Sequence, residues 1–305
     1  MRRVRYDHQG GPLFTEEVPA PAPGPGELLV RAEAVGVTLP VVRKVREAAE
    51  PVPLGGEVAG EVVALGAGVG GFAVGDRVTG LCFGHGYAEV VPLLAPMAGP
   101  IPRGASAVDA VALVRSGLVA LGVLDAAGAR RGERALVTAA AGGVGHLAVQ
   151  LARVRGASRV VAAVSDPAKA ALPLALGADS AVAYADASWG EPVDYALDAV
   201  GGDLLGRVVG AVAPGGRLVA YSSGGGSISA YDLLAGAKTA IGFQMARIAR
   251  EQPAWYERRR RELWELFAAG TVRPAVHATV PLDEAARAHE WIETRSNRGK
   301  VVLVI

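Results

Sequence analysis

The stretch from Glu133 to Asp166, ERALVTAAAGGVGHLAVQLARVRGASRVVAAVSD, constrains this chain more than any other. It reads as strand, glycine turn, helix, strand. Ala135-Leu136-Val137-Thr138 is a short apolar run that suits a strand buried on both faces. Ala140, Gly142 and Gly145 then keep the A/G-x-G-x-x-G spacing. Within it Ala141, Gly142, Gly143, Val144 and Gly145 form the turn. Gly142 and Gly143 bend tightly and let backbone approach a pyrophosphate, while Gly145 lets the following helix pack close to the sheet. Leu147, Leu151 and Val154 recur at i, i+4 and i+7, which predicts one apolar helix face. The free N–H groups and positive dipole end of that helix suit a diphosphate. Gly156 ends the helix, and Arg159 to Val164 is a second buried strand. A glycine spacing alone is weak; inside a βαβ unit of about 30 residues it favours dinucleotide binding over a plain strand-to-helix turn.

The surrounding pattern extends this unit. Asp166-Pro167 reads as a cap and first helical position, and Leu172, Leu174 and Leu176 precede Gly177. Further strands are expected at Ser180 to Tyr184, Tyr195 to Val200 (ended by Gly201-Gly202), Arg217 to Tyr221 (after a Pro214-Gly215-Gly216 turn) and Thr239 to Met245. Strands alternating with helices predict an α/β fold with a doubly wound parallel sheet.

Residues 1 to about 110 have a different texture. Glu27 to Glu33, Gly56 to Gly66, Gly75 to Val78 and Gly86 to Val90 are short strand-like runs with glycine bends, a barrel-like β-rich domain. From Ala107 the chain turns helical and alanine-rich. Residues 254 to 270 read as a helix anchored by Trp255, Leu263, Trp264 and Phe267. Residues 283 to 294 read as another, capped by Asp283. Lys300 to Ile305 resumes strand character, so the tail is expected to return to the first domain. The expected division is 1–112, 113–250 and a returning 251–305.

The net charge of +1 creates no field to recruit nucleic acid or a membrane. The run Arg258 to Arg261 is flanked by Glu257, Glu262 and Glu265; the i, i+4 pairs Glu257/Arg261, Arg258/Glu262 and Arg261/Glu265 predict a solvated helix face. One cysteine, Cys82, forbids an internal disulfide. No signal pattern opens the chain and no apolar run reads as a membrane span, so a cytoplasmic protein is expected.

The ordered set Gly36-Val37, Pro53-Leu54-Gly55-Gly56-Glu57-Val58-Ala59-Gly60, Gly75-Asp76-Arg77-Val78, Gly86-Tyr87-Ala88-Glu89, Ser116-Gly117-Leu118, Ala140 to Gly145, Leu176-Gly177-Ala178-Asp179, Asp198-Ala199-Val200-Gly201-Gly202 and Gly299-Lys300-Val301-Val302 covers nearly the whole chain. It resembles the zinc-independent medium-chain dehydrogenase/reductases, nearest their NADPH:quinone oxidoreductase branch. The resemblance implies a GroES-like catalytic domain, split between the termini, with a Rossmann domain inserted in it. It implies no metal: zinc-dependent relatives carry a cysteine and a Gly-His-Glu where this chain has Thr38 and Gly55-Gly56-Glu57. Zinc also wants clustered Cys and His ligands, and His8, His85, His146, His277 and His289 are scattered.

For the cofactor the resemblance points to NADPH. Ser165 and Lys169, four apart, and Tyr184 match residues that meet the 2′-phosphate, a dianion suited to a cation and hydroxyl donors. Asp166 competes as a ribose 2′-hydroxyl ligand for NADH, or serves as a helix cap. Val200, Gly201, Ser222, Phe243, Gln244 and Met245 lie at strand ends where family members line the cofactor, and Asn297 matches an asparagine at the nicotinamide half. The implied chemistry is hydride transfer to a quinone or enone. Thr38 stands where the branch has asparagine and is the candidate donor to the substrate oxygen; Tyr87 is a candidate pocket residue. Alternatives are an enoyl or ketone reductase of secondary metabolism, and a non-catalytic NADPH-binding member. Relatives imply a homodimer joined through the last strand of the parallel sheet.

Overall fold

The computed structural model describes residues 1–221 and 224–305. They form two compact units, Met1–Arg115 with Pro274–Ile305, and Ser116–Arg273. The helix Pro253–Ala268 thus belongs to the second unit, although the sequence placed it with the returning tail. The reason is packing: a Cβ on Gly117 would lie 2.7 Å from the Leu263 side chain, so these two helices approach as closely as a glycine allows.

The second unit is built on a six-stranded parallel sheet. Its strands in spatial order are Ser180–Ala183, Arg159–Val164, Arg134–Val137, Val193–Asp198, Val212–Ala220 and Thr239–Gly242. Numbered along the chain this is 3-2-1-4-5-6, the doubly wound order, in which ligands sit beyond the carboxyl ends where the order reverses. The central strands are apolar on both faces: Leu136, Val137, Val161, Ala163, Ala196 and Leu197 are all buried. Several strand ends fall earlier than expected. Tyr184, Val200 and Phe243 follow their strands, and Met245 opens the helix Met245–Glu251. Pro214-Gly215-Gly216 lies inside Val212–Ala220 as an irregularity between the Val193 and Tyr195 pairings, with Gly215 at φ +75°.

Two helices of this unit differ from their sequence reading. In Gly145–Val154, Leu147 and Leu151 are fully buried, but Val154 is 37% exposed at the last turn. In Pro253–Ala268 the arginines are not all solvated. Arg260 is buried beside Glu257, and Arg259 reaches Asp125 at 2.6 Å. Glu262 is held by Arg259 (2.6 Å) and Arg155 (3.0 Å) rather than by Arg258. The expected Glu257/Arg261 contact does form, at 3.3 Å.

The first unit carries a seven-stranded sheet in which Glu27–Val37 is the longest strand. Its first half pairs with Val90–Leu94, its last four residues pair with Lys300–Val304, and Val58–Leu65 pairs along the other side. The C-terminal strand therefore does return to the first unit. Gly86 to Glu89 is not a strand; that turn meets the N-terminus through Val4 N–H donating to Tyr87 O, and the strand begins at Val90. The helix Leu39–Glu47 is unanticipated; Pro40 in its first turn starts it, and Val41, Val42 and Val45 face inward. Asp283 sits within the 3-10 turn Leu282–Glu284 and caps nothing; the helix proper is Ala285–Glu293.

The helix Ala107–Ala127 is long and apolar enough to cross a membrane, contrary to the sequence reading, but 83% of its apolar window is buried inside the fold.

Candidate functional site

The carboxyl ends of the first and fourth strands of the parallel sheet are pinned together. The hydroxyl of Thr138 donates to Asp198 Oδ1 at 2.7 Å, and Asp198 also accepts from Gly201 N at 2.8 Å and Val200 N at 3.3 Å. Both side chains are completely buried. Charge-assisted bonds of this kind fix the two loops that leave the strands. The Gly201 loop packs on the Gly224–Gly226 segment, where Gly202 N donates to Gly225 O at 2.8 Å. A Cβ on Gly201, at φ +71°, would lie 2.7 Å from Gly225 O. Ser222 lies outside the described residues.

The glycine turn is a backbone construction. Ala139 adopts a left-handed φ of +48°, and its carbonyl folds over the turn to accept from Gly142 N at 2.8 Å. A Cβ on Gly145 would collide with this carbonyl, and one on Gly142 would lie 3.1 Å from it. Gly145 is thus required by close backbone approach to this carbonyl, and Gly142 leaves little room beside it. His146, fully buried, donates from Nδ1 to Gly142 O at 2.8 Å and braces the turn. No side chain caps the first turn of Gly145–Val154. Ala141 is buried, and Gly142, Gly143 and Val144 are half-buried at the mouth.

The residues read as a phosphate site converge. Lys169 Nζ donates to Ser165 Oγ at 3.2 Å. Tyr184 N donates to Val164 O at 2.9 Å, which places Tyr184 beside Ser165 at the end of the neighbouring strand. Its hydroxyl accepts from Ala139 N at 2.8 Å, joining this corner to the glycine turn. Asp166 is committed elsewhere: it caps the turn Pro167–Lys169, its carboxylate accepting from Ala168 N at 2.8 Å. A glycine cradle for a pyrophosphate, with a cation and two hydroxyls at its side, fits a phosphorylated dinucleotide.

The remaining candidates of this unit divide. The half-buried Phe243 ring occupies the space beside Gly122, where a Cβ would strike it. Met245 is buried in the helix it opens, and Gln244 is exposed. Tyr221 was not anticipated. Its hydroxyl is buried without a hydrogen-bond partner among the described residues, and burial followed by the charge of Asp198 pushes its pKa far up.

In the first unit, Asn297 turns back on its own loop, its amide donating to Gly299 O at 2.9 Å. Tyr87 lines a cavity of about 500 Å³ with Arg5, Tyr6, Pro53 and His85, yet it is itself 2% exposed. Its hydroxyl bonds His289 Nε2 at 3.1 Å and its ring meets the imidazole edge-on. It packs as a core tyrosine with a satisfied hydroxyl while lining that cavity. Burial lowers His289 to about 4, partly opposed by Glu293.

Thr38 is buried at 8% exposure, and its Oγ1 has no hydrogen-bond partner among the described residues. It occupies the N-cap position of Leu39–Glu47 without using its side chain there. Nearby, Glu57 and Lys300 form an ion pair, 2% and 3% exposed. Neither residue was singled out from the sequence, though both lie in the quoted family motifs. A buried lysine shortly before an apolar C-terminal strand was the available signal. No cluster of three potential metal-ligating side chains occurs among the described residues. Cys82 is buried, and burial with the charge of Glu57 pushes its thiol up to about 12; His85 is exposed at φ +62°.

Known proteins extend these observations. Residues 24–105 match the alcohol dehydrogenase GroES-like domain, and residues 176–303 match the zinc-binding dehydrogenase family. The quinone oxidoreductase of Pseudomonas aeruginosa is 30% identical, with 99% of each chain covered. The spectinabilin polyketide synthase system protein NorB of Streptomyces orinoci is 34% identical over 97% of this chain, which spans only 14% of that protein's length. The crystal structures of the quinone oxidoreductase from Thermus thermophilus and its complex with NADPH match at 33% identity and a TM-score of 0.88, with both chains fully covered. With the doubly wound sheet, the GroES-like first unit and full-length coverage, the chain belongs to the medium-chain dehydrogenase/reductases, in their quinone oxidoreductase branch.

Proposed function

We propose that this protein is an NADPH-dependent oxidoreductase that works without zinc and transfers a hydride to a quinone or an activated C=C bond. The second unit is its cofactor domain and the first its catalytic domain. One observation carries the cofactor choice: Ser165, Lys169 and Tyr184 meet at one corner while Asp166 is spent on a helix cap. NADPH supplies the hydride when bound. The chain's own part is to hold the pyrophosphate on the Gly142–Gly145 turn and the 2′-phosphate at Ser165, Lys169 and Tyr184. Val200, Gly201 and Ser222 complete the cofactor's lining in this reading. Thr38 offers a hydrogen bond to the oxygen on which negative charge develops as the substrate carbon is reduced.

The donor set supports working without zinc. The lone cysteine is a buried, high-pKa thiol, whereas a zinc ligand is a thiolate among other ligands. Turnover of a panel of quinones and enones with NADPH, before and after exhaustive chelation, tests the reading; loss of activity on chelation, or no reduction of any compound, contradicts it.

The relation to a polyketide synthase system protein favours a second reading, an enoyl or ketone reductase of secondary metabolism. An acyl thioester enone in the same panel separates the two. A non-catalytic NADPH-binding member is the third, marked by tight binding without turnover of any panel compound.

The protein is further proposed to be a homodimer. Thr239–Gly242 is the edge strand of the parallel sheet, and Tyr231 and Leu234 just before it are 73% and 76% exposed. Sedimentation at twice the monomer mass supports this, and sedimentation as a monomer at micromolar concentration overturns it.

A further inference from the structure

Thr38, Glu57 and Lys300 come from three neighbouring segments of the first unit and meet on one face. Thr38 continues its strand in extended geometry, φ −137° and ψ 149°, so its side chain shares a face with position 36, two residues back. The space beside Gly36 is filled by the Glu57 carboxylate, with which an added Cβ would collide. Glu57 lies opposite Gly36, since Val58 pairs with Val35 and Gly36 N donates to Glu57 O at 3.4 Å. On the other side Val301 pairs with Val37, so the antiparallel register sets Lys300 opposite Thr38. Directly opposed residues share a face.

The cluster is buried and incompletely satisfied. Lys300 Nζ pairs with Glu57 Oε1, while Glu57 Oε2 and Thr38 Oγ1 have no partner among the described residues. Buried polar atoms of folded proteins are almost always hydrogen-bonded, so two orphans on one face mark a place built for something other than stability. Arg115 approaches from beside Gly56. Burial holds the Lys300 ammonium below its ordinary pKa, with Glu57 opposing and Arg115 adding to the shift. The charge of Glu57 also reaches Cys82 and Tyr87, which stay protonated.

The geometry points to a proton relay in which Lys300, held by the Glu57 carboxylate, supplies through the Thr38 hydroxyl the proton that completes the substrate's reduction. This rests on the reductase reading above. When a hydride adds to the substrate carbon, the π electrons move onto the carbonyl oxygen. That oxygen takes the proton of Thr38 Oγ1, and Thr38 takes one from the Lys300 ammonium opposite it in register, through a bridging water. Lys300 is left as a neutral amine beside the Glu57 carboxylate, which stays ionised throughout and draws a proton back onto the amine from solvent. One hydride and one proton are consumed and every protein group is restored. Thr38 touches the substrate; Glu57 and Lys300 act through it.

The test has two arms. In turnover, Lys300→Met is expected to lower kcat about a hundredfold, leave KM for NADPH unchanged and raise the solvent deuterium isotope effect. Thr38→Val matches that loss, Thr38→Ser retains activity, and the Thr38→Val/Lys300→Met double variant is no slower than either single. The Glu57→Gln/Lys300→Met variant, which leaves no unpaired charge, guards against misfolding and is expected to be equally slow. Wild-type kcat and isotope effect in that variant overturn the relay. In the second arm, urea unfolding of Thr38→Val, Lys300→Met and the double variant is expected to be non-additive; strict additivity overturns the relay whether or not the protein turns over. Failure of the wild type to reduce any panel compound counts against the reductase reading alone.

Discussion

The glycine turn of the second unit and the Thr38 face of the first are built by opposite means. The turn is made of backbone: a left-handed Ala139, two glycines against its carbonyl and a run of main-chain N–H groups, all within a few residues. The Thr38 face is made of side chains from three segments, two near the start of the chain and one at its end. The first needs only local spacing. The second needs the whole sheet in register, and it stores its chemistry in buried charge.

The largest expected effect breaks the second region alone. Lys300→Met leaves Glu57 buried without its partner and is expected to cost about 3–5 kcal/mol in urea unfolding. Glu57→Gln/Lys300→Met recovers most of that loss. If the single variant costs less than the double, the pair is not the buried unit described. Next, Gly145→Val drives a side chain into the Ala139 carbonyl. Its expected cost is about 3 kcal/mol, with loss of nucleotide binding. Nucleotide binding that survives in this variant would contradict the close-approach account of the turn.

A third prediction concerns pH. His289 titrates near 4 in the fold, below its ordinary 6.5. The unfolded chain therefore binds the extra proton first as pH falls. The neutral histidine contributes fully above the unfolded value, and up to about 3 kcal/mol is lost as pH drops from 6.5 through 4. Urea midpoints at pH 7 and pH 4.5 are expected to converge in a His289→Gln variant relative to wild type; an unchanged pH slope would place the titration elsewhere.

The smallest effects sharpen the first region. Lys169→Ala is expected to weaken NADPH by about 2 kcal/mol and leave NADH nearly unchanged, since only the 2′-phosphate loses a charged donor. Tyr184→Phe also removes the acceptor for Ala139 N, so it is expected to weaken both nucleotides slightly. Calorimetric titration of both variants with both nucleotides distinguishes a phosphate contact from a turn contact.

These two regions also differ in how much of them the sequence discloses. The turn and the parallel α/β sheet were legible from spacing because glycine requirements and β/α alternation are local, whereas the strand order emerges only in the fold. The return of Lys300–Val304 to the first unit was legible from its β-branched run. What escaped depended on contacts between distant residues. Glu57 and Lys300 are far apart in the chain and become a pair only through strand register. The helix Pro253–Ala268 was assigned to the wrong unit because Gly117 opposite Leu263 is invisible without the packing, and its arginines read as solvated because Asp125 is over a hundred residues away. Tyr87 was ambiguous in sequence, and only its bond to His289 resolves it as core. Asp166, conversely, was resolved by a local contact two residues on.

The measurement that bears most directly on the central claim is a calorimetric titration of the wild-type protein with NADPH and NADH in parallel. Tight NADPH with much weaker NADH is the result predicted by the proposed reading, in which Ser165, Lys169 and Tyr184 hold the 2′-phosphate while Asp166 caps a turn. A preference for NADH would contradict the account and return Asp166 to the ribose.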